Sequence, residues 1–161
     1  MTLGTGIGGA VIINGNLLET GEYPGCEFGH MVIKENGLKC NCGRKGCFEK
    51  YGSMRVFKDN LRNELWLEDK TSGKELMAIL KDTTKESKDY AKIEKVRKQY
   101  IRDLSVGIAN LVNIFEPEAI GIGGSFVYFS EVLLQDVKKT ILKEDMLFSN
   151  FFYFSIIFTF F

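Results

Sequence analysis

The feature that most constrains the fold of this chain is one histidine followed by three closely spaced cysteines. His30, the only histidine, precedes Cys40, Cys42 and Cys47 in the pattern H-x9-C-x-C-x4-C. One imidazole and three thiolates are the four soft ligands of a closed tetrahedral zinc site. We therefore predict that the chain folds locally around a structural zinc ion held by these four residues.

The alternative is a buried core histidine beside unrelated thiols. The C-x-C spacing is tighter than the usual C-x2-C of zinc motifs, but the cluster gathers the only histidine and three of the four cysteines. No signal peptide is visible at the start, so we expect a cytoplasmic, reducing location, where cysteines serve as ligands more often than as disulfides. The fourth cysteine, Cys26, is predicted to be a small packed residue.

Two carboxylates bracket this cluster. Glu27 lies three residues before His30, and Glu49 lies two residues after Cys47. A metal ion would bring both stretches together, and carboxylates beside a fixed imidazole are good acceptors for sugar hydroxyls. Solvated surface glutamates are the alternative, because spacing alone fits both.

A glycine-rich segment opens the chain as Gly4-Thr5-Gly6-Ile7-Gly8-Gly9, which fits the dinucleotide pattern G-x-G-x-x-G. That fingerprint needs a helix after the last glycine. Here two short apolar runs flank Asn14-Gly15, which predicts a β-hairpin with a type I′ turn. The segment is therefore predicted to be a turn between strands, and it holds either a phosphate through its backbone N–H groups or no ligand.

Length and charge narrow the remaining choices. A chain of 161 residues forms one domain or one lobe of a larger protein. Lys plus Arg equals Asp plus Glu at 21 each and no basic run stands out, which argues against a nucleic-acid partner. The uncharged C-terminal segment, at about fifteen residues, is too short for a membrane span. We expect neither nucleic acid nor membrane as a partner.

Four segments together resemble the ROK family (repressor, open reading frame, kinase), which includes bacterial glucokinases and N-acetylhexosamine kinases. LGTGIGGAVIINGNLL resembles the family's second phosphate motif, and CEFGH resembles its G-E-x-G-H motif, with Cys26 where glycine is usual. CNCGRKGCFEKYGS matches its zinc motif C-x-C-G-x-x-G-C-x-E, and NIFEPEAIGIGGS resembles the stretch before its adenosine-binding glycines.

The resemblance implies a role for each matching position. The substrate would be a hexose or an N-acetylhexosamine, with ATP and Mg²⁺ as cosubstrate and a structural Zn²⁺. His30 would serve both metal and sugar through its two ring nitrogens. The implied residues are Gly4, Thr5 and Gly6 for the ATP phosphates, Gly123 and Gly124 for adenosine, Glu27, His30 and Glu49 for sugar hydroxyls, and His30, Cys40, Cys42 and Cys47 for zinc.

The implied fold is α/β, the C-terminal lobe of an actin-like, ribonuclease-H-like ATPase fold with a mixed sheet flanked by helices. This lobe would span residues 1–145, with a zinc-binding loop at about 26–50. Apolar spacing predicts helices over 53–99 and over 100–115. A short buried strand at AIGIGG and a helix with Ser130 as its N-cap would follow.

Two features depart from the family pattern. The family's D-x-G-G-T motif and the Asn-Asp pair with the catalytic Asp precede the glycine loop, and this chain has neither at a matching position. We therefore assign no catalytic residue and expect the chain alone to be inactive. Residues 146–161 form an atypical tail with seven of the thirteen Phe and no charged side chain, which is an aggregation risk if exposed.

Three interpretations of function follow. The first is the C-terminal lobe of an ATP-dependent, glucokinase-like hexose kinase. The second is the sugar-sensing lobe of a ROK transcriptional repressor, and the third is a non-functional truncated gene product. The sequence leaves the identity of the sugar open among glucose, an N-acetylhexosamine and fructose. It also leaves open whether the chain forms a homodimer.

Overall fold

The computed structural model describes residues 1–19, 26–143 and 155–158. Short strands lie at both ends of the chain and helices fill its middle. The strands are β1 (Thr2–Leu3), β2 (Ile7–Gly8), β3 (Ile12–Ile13), β4 (Asn16–Leu17), β5 (Ala119–Ile122) and β6 (Ser155–Phe158). The helices are α1 (Glu49–Gly52), α2 (Met54–Leu65), α3 (Gly73–Asp82), α4 (Tyr90–Phe115) and α5 (Ser130–Lys143), with short 3₁₀ helices at Phe28–His30 and Gly124–Phe129.

The first four strands form two antiparallel pairs. Thr2 lies opposite Gly8 where β1 pairs with β2, and β3 pairs with β4 across a tight turn. The turn residues Asn14 and Gly15 have φ values of 52° and 76°. A type I′ turn requires positive φ at both central residues, so the predicted hairpin is confirmed.

β5 lies beside strands from both ends of the chain. β1 runs parallel to it, with a bridge between Thr2 and Gly123 and a 3.1 Å hydrogen bond from the N–H of Leu3 to the carbonyl of Gly123. β6 pairs with β5 in parallel over its whole length. The described strands form three two-stranded sheets, β1-β2, β3-β4 and β5-β6. The bridge at Gly123, just after β5, places the antiparallel pair β1-β2 beside the parallel pair β5-β6.

The helices form the core around α4. Its buried face includes Ile101, Leu104 and Ile108, which are at most 4% exposed, and it packs against α1, α2 and α5. The stretch predicted as helical over 53–99 contains α2, α3 and the start of α4. Two non-helical connections divide it into these three helices. Trp66 ends α2 in the left-handed conformation at φ 56°, and a capping box between Ser72 and Glu75 begins α3.

Ser130 does not act as the predicted N-cap. It is already the first residue of α5, and its hydroxyl donates a 2.8 Å hydrogen bond back to the carbonyl of Val127. The cause is the 3₁₀ helix Gly124–Phe129, which runs directly into α5 so that the chain has no extended residue at this point. The prediction was wrong because a serine that precedes helically spaced apolar residues looks the same in the sequence whether or not a 3₁₀ helix comes before it.

None of the helices in the described ranges combines the length and the apolar character that a membrane crossing needs. The predicted boundary at residue 145 and most of the tail 146–161 lie outside the described residues. Within that tail, Ser155–Phe158 form β6 beside β5.

Candidate functional site

The structure brings the four predicted metal ligands together. One ligand atom from each of His30, Cys40, Cys42 and Cys47 lies within 4.8 Å of all the others. The Sγ of Cys40 is 3.6 Å from Nδ1 of His30, and the Sγ atoms of Cys42 and Cys47 are 3.5 Å apart. The four donors thus surround one point, which is the arrangement that a four-coordinate ion requires.

Tight backbone turns hold the cysteine loop, residues 31–47, in this shape. The N–H of Cys40 bonds the carbonyl of Arg44 at 2.8 Å, and Gly43 and Gly46 have φ values of 89° and 78°. A Cβ on Gly46 would stand 1.7 Å from the carbonyl oxygen of Lys34. Glycine at this position therefore satisfies both the left-handed conformation and the close approach of two backbone segments.

Contacts with the core fix the position of the cysteine loop. Nζ of Lys34 forms an ion pair with Asp103 of α4 at 2.8 Å, and it lies 4.4 Å from the ring centroid of Tyr51. The hydroxyl of Tyr51 accepts a 2.5 Å hydrogen bond from the N–H of Leu38. The loop is thus tied both to the long core helix and to α1.

Two of the thiols have opposite pKa shifts. Hydrogen bonds from the backbone and the side chain of Arg44 lower the pKa of Cys42 to about 6. Burial raises the pKa of Cys47 to about 12. At neutral pH the cluster therefore contains a ready thiolate at Cys42, while Cys47 loses its proton only when a cation replaces it.

A polar pocket of about 330 Å³ lies beside the cluster. The residues predicted to bind sugar and phosphate line it together: Gly4, Thr5, Gly6, Glu27, His30 and Glu49. Thr2 and Gly124 also line it. Residues from four separate parts of the sequence therefore converge on one open cavity.

Glu27 reaches the polar pocket from a tight turn. Its backbone has φ −73° and ψ 62°, and the N–H of Phe28 bonds the carbonyl of Cys26 at 2.8 Å, which defines an inverse γ-turn. Cys26 itself has φ 58°. A left-handed backbone favours glycine, so Cys26 adopts a conformation that is uncommon for a residue with a side chain.

Glu49 links the metal cluster to the glycine loop. It is the first residue of α1, and its Oε1 lies 3.5 Å from the Sγ of Cys40. Its Oε2 lies so close to Gly6 that a Cβ there would be 3.0 Å away. The Glu49 carboxylate therefore contacts both the metal cluster and the glycine loop. His30 belongs to the metal cluster and also lines the polar pocket.

The glycine loop is held by backbone hydrogen bonds. The carbonyl of Gly4 accepts a 3.1 Å bond from the N–H of Arg55 at the start of α2, and the N–H of Gly4 bonds the carbonyl of Gly6 at 3.0 Å. Gly124, at φ 76°, packs against the backbone of Leu3, and Gly124 is the predicted adenosine residue that reaches the polar pocket.

Gly123, the other predicted adenosine residue, lines a neighbouring apolar slot of about 640 Å³. The apolar slot lies between residues 9–12 and residues 119–121, and it is also lined by Met1, Phe28, Leu111 and Phe115. Gly123 and Gly124, which were both predicted to contact adenosine, therefore line two different cavities.

Sequence reasoning missed three residues of the site. Thr2 lines the polar pocket, while Lys34 and Asp103 join the cysteine loop to the core. A signal existed for Asp103, because a carboxylate at a position between Tyr100 and Leu104 on the apolar face of a helix needs a partner. Nothing in the sequence identified Lys34 as that partner.

Comparisons with known proteins all lead to one family. The sequence model of the ROK family matches residues 1–157 of this chain. A glucokinase of Thermotoga maritima is 32% identical over 154 residues, which cover 91% of this chain and 48% of the relative. A putative xylose repressor of a Caldicellulosiruptor species is 29% identical over 154 residues, which cover 89% of this chain and 37% of the repressor.

The fold is similar to that of a solved ROK family glucokinase from Streptomyces griseus, in complex with glucose and AMPPNP. The TM-score is 0.80 at 24% identity, and the match covers 98% of this chain and 53% of that protein. The described fold is therefore the fold of one part of that kinase. The chain spans about half the length of the curated relatives that it matches, or less.

Proposed function

Since this chain belongs to the ROK family, we propose that it forms the sugar-binding lobe of an ATP-dependent hexose kinase that phosphorylates a sugar hydroxyl. One observation carries the proposal. Glu27, His30 and Glu49 line the same pocket as the glycine loop Gly4–Thr5–Gly6. A kinase needs its acceptor hydroxyls and its phosphates side by side, because phosphoryl transfer depends mainly on positioning.

The sugar side of the polar pocket consists of hydrogen-bonding groups that suit a polyol. Ionised carboxylates at Glu27 and Glu49 accept hydrogen bonds from neighbouring hydroxyls. The imidazole of His30 contributes a third polar group beside them. Glucose and N-acetylglucosamine both offer adjacent hydroxyls that fit this set, so a hexose or an N-acetylhexosamine is the proposed substrate class.

The phosphate side of the polar pocket consists of backbone and one hydroxyl. Glycines allow an anion to approach backbone N–H groups without interference from a Cβ, and Thr5 adds a hydroxyl donor. Gly124 lies on the same pocket at the start of a 3₁₀ helix. We assign these residues, with Gly123 close by in the chain, to the phosphates and adenosine of ATP, whose Mg²⁺ would accompany the phosphates.

The donor set of the cluster suits zinc. In a tetrahedral site with Zn–S bonds of about 2.3 Å, neighbouring ligand atoms lie about 3.7 Å apart. The observed pairs at 3.5 and 3.6 Å match this spacing. We assign His30, Cys40, Cys42 and Cys47 as the ligands of a structural Zn²⁺, which would fix the cysteine loop. A reducing, cytoplasmic compartment would keep the thiols available for it.

His30 would act on both sides of the site. Its Nδ1 faces the Sγ of Cys40 at 3.6 Å, so Nδ1 is the nitrogen that would meet the metal. The proton would then be on Nε2, where it can be donated to a sugar oxygen. The metal cluster would in this way orient a sugar-binding side chain without touching the sugar.

We expect the 161-residue chain to bind its sugar without turning it over. The carboxylates that line the polar pocket are Glu27 and Glu49, which serve here as hydroxyl acceptors. The resemblance assigns the catalytic base to an Asp, and no Asp is among the residues that line the polar pocket in the described part of the chain. Sugar-dependent release of ADP by the purified chain would contradict this expectation.

The test is calorimetric titration of glucose, N-acetylglucosamine and xylose into the purified, zinc-loaded chain. We expect one of the two hexoses to bind and its affinity to fall about tenfold or more in Glu27→Gln and Glu49→Gln, because each loses an ionic acceptor. Glu35→Gln, at an exposed position of the cysteine loop, is the matched control and should bind as the unchanged protein does. Equal affinity in all variants would refute the site assignment.

The second candidate is the sugar-sensing lobe of a ROK repressor. The similarity to a putative xylose repressor over 89% of this chain favours it specifically. Binding of xylose with no binding of an ATP analogue would favour the sensing lobe, and DNA binding would then belong to the complete protein. A chain that neither binds zinc nor stays in solution would instead favour a non-functional gene product.

A further inference from the structure

The three cysteines of the metal cluster differ in their exposure to solvent. Cys40 is 2% exposed and Cys47 is 0% exposed, whereas Cys42 lies at the surface. The next residue, Gly43, has open space on the side where a Cβ would point, with no atom within 4 Å of that position. A dissolved reagent therefore reaches the sulfur of Cys42 more readily than it reaches the other two.

A second thiol lies within reach of the Cys42 sulfur. The Sγ atoms of Cys42 and Cys47 are 3.5 Å apart. A disulfide bond requires about 2.05 Å, so the two atoms would have to approach by about 1.5 Å. Gly43 and Gly46 lie between the two cysteines, and both already have the positive φ values of a tight turn. Formation of a Cys42–Cys47 disulfide therefore needs only a local movement of the cysteine loop.

Cys40 is a less suitable partner for Cys42. Its Sγ lies 3.6 Å from Nδ1 of His30 and 3.5 Å from Oε1 of Glu49, so two polar groups already contact it. One residue separates it from Cys42 in the sequence, which leaves the backbone little freedom to reach the geometry that a disulfide requires. The structure therefore favours Cys47 as the second thiol.

A cationic side chain accompanies the exposed sulfur. The guanidinium of Arg44 donates a hydrogen bond to Cys42. Reactive cysteines typically lie in exposed, electropositive surroundings of this kind. When a sulfur attacks a peroxide, the oxygen that leaves becomes negatively charged, and a fixed cation stabilises that developing charge. Arg44 therefore favours attack on a peroxide by the Cys42 sulfur.

We propose that Cys42 is an oxidation site, at which a hydroperoxide links Cys42 to Cys47 and thereby removes two of the four metal ligands. The inference rests on the proposed function, because it assumes the structural zinc assigned to this cluster, and it adds regulation to the polar pocket. Nδ1 of His30 would lose the metal together with the two cysteines. The imidazole would then lack the contact that orients it toward a sugar.

The reaction balances with hydrogen peroxide as the oxidant. The thiolate of Cys42 attacks one peroxide oxygen, so that an S–O bond forms, the O–O bond breaks and hydroxide leaves to become water. The thiolate of Cys47 then attacks the sulfur of the resulting sulfenic acid. An S–S bond forms, the S–O bond breaks and a second water is released. The two sulfurs together give two electrons to the peroxide, and a thiol reductant reverses the change.

The test treats the zinc-loaded chain with one equivalent of hydrogen peroxide and measures released zinc with a colorimetric chelator. The remaining thiols are alkylated, and peptide mass mapping identifies the disulfide. We expect one zinc released per Cys42–Cys47 disulfide, with Cys40 alkylated, and renewed zinc binding after reduction. With dimedone present to trap sulfenic acid, we expect about tenfold more adduct on Cys42 than on Cys40 or Cys47.

Three results would overturn the proposal: a Cys40–Cys42 disulfide, equal trapping on all three cysteines, or zinc that stays bound while the peroxide is consumed. Cys26→Ser changes the cysteine outside the cluster and is the control. It should give the same disulfide and the same zinc release as the unchanged chain. A disulfide that includes Cys26 would contradict the assignment.

Two variants test the part played by Arg44. Arg44→Gln and Lys45→Gln each remove one positive charge from an exposed position of the cysteine loop, and Arg44 is the one whose side chain bonds Cys42. We expect zinc release by peroxide to slow about threefold or more in Arg44→Gln, because the leaving oxygen loses its cation. Lys45→Gln should keep the original rate. Equal rates in the two variants would contradict the role given to Arg44.

Zinc content before the addition of peroxide separates this inference from the proposed function. A chain that never binds zinc refutes the zinc assignment itself. Zinc binding followed by the wrong disulfide, or by no disulfide, refutes only the oxidation site. Calorimetry of sugar binding to the oxidised chain tests the regulatory consequence, and we expect binding to fall as zinc is released. Sugar affinity that stays unchanged after full release of zinc would contradict it.

Discussion

Lys34 of the cysteine loop and Asp103 of α4 form an ion pair at 2.8 Å, although 69 residues separate them in the sequence. The Asp103 side chain is only 8% exposed, and it also accepts a 3.1 Å hydrogen bond from Gln99. The pair connects the segment that carries the metal ligands to the most buried helix of the described chain. This ion pair therefore links the geometry of the site to the packing of the core.

Replacing Lys34 by methionine should destabilise the protein by about 1–2 kcal/mol, because a buried carboxylate loses its cation while the aliphatic volume is kept. Urea denaturation measures the change. Lys39→Met, at an exposed position of the same cysteine loop, is the control and should change the free energy of unfolding by less than about 0.5 kcal/mol. Equal effects of the two substitutions would contradict a structural role for the ion pair.

Tyr100→Phe should cost about 1 kcal/mol, because the phenol of Tyr100 donates a hydrogen bond to the carbonyl of Gly52 inside the core. Burial raises the pKa of this phenol above its ordinary value of 10.0. Its contribution to stability is therefore present below pH 10 and is lost as the pH rises, since the unfolded chain ionises first. The difference between the two proteins in thermal unfolding should shrink above pH 10. Tyr128→Phe, at a site 78% exposed, should show neither effect.

Gly46→Ala and Gly43→Ala should have different consequences although both glycines have positive φ. A Cβ at Gly43 meets nothing within 4 Å, so the cost is that of backbone strain, about 1–2 kcal/mol. A Cβ at Gly46 would stand 1.7 Å from the carbonyl oxygen of Lys34, so the cysteine loop must open. We expect Gly46→Ala to lose bound zinc and Gly43→Ala to keep it, as measured by metal content. Full retention of zinc by both would contradict the proposed ligand geometry.

Zinc uptake should release protons. At pH 7.5 the Cys47 thiol, with a pKa raised to about 12 by burial, is protonated in the metal-free chain and must give up its proton to bind. Cys42, with a pKa lowered to about 6 by Arg44, is already a thiolate there. Zinc affinity should therefore fall as the pH is lowered, and more steeply below about pH 6, where Cys42 also takes up a proton. Calorimetry in buffers of different ionisation enthalpy measures the released protons.

The features that the sequence predicted correctly have local causes. Asn14 and Gly15 both adopt positive φ, and few other residue pairs do so readily, so the hairpin could be predicted from two letters. The family could be predicted because the metal ligands lie within 18 residues of one another. A motif confined to one short segment can be recognised without knowing how distant segments pack.

The features that the sequence did not reveal depend on contacts between distant segments. Gly123 and Gly124 line different cavities because the chain turns at Gly124, with φ 76°, against the backbone of Leu3. Leu3 lies over 100 residues away in the sequence. The wrong prediction for Ser130 has the same origin, because a 3₁₀ helix packed on the core precedes it. Pairing of Lys34 with Asp103 likewise requires the tertiary fold. Local patterns predict turns and ligand sets, whereas tertiary packing decides which residues meet.

The most direct test of the proposed site is glucose binding, or binding of whichever hexose the chain prefers, measured by calorimetry with and without zinc. We predict one zinc per chain, sugar binding by the zinc-loaded protein, and loss of that binding when a chelator removes the metal, because His30 belongs to both the cluster and the polar pocket. Sugar binding of equal affinity in the zinc-free protein would contradict it.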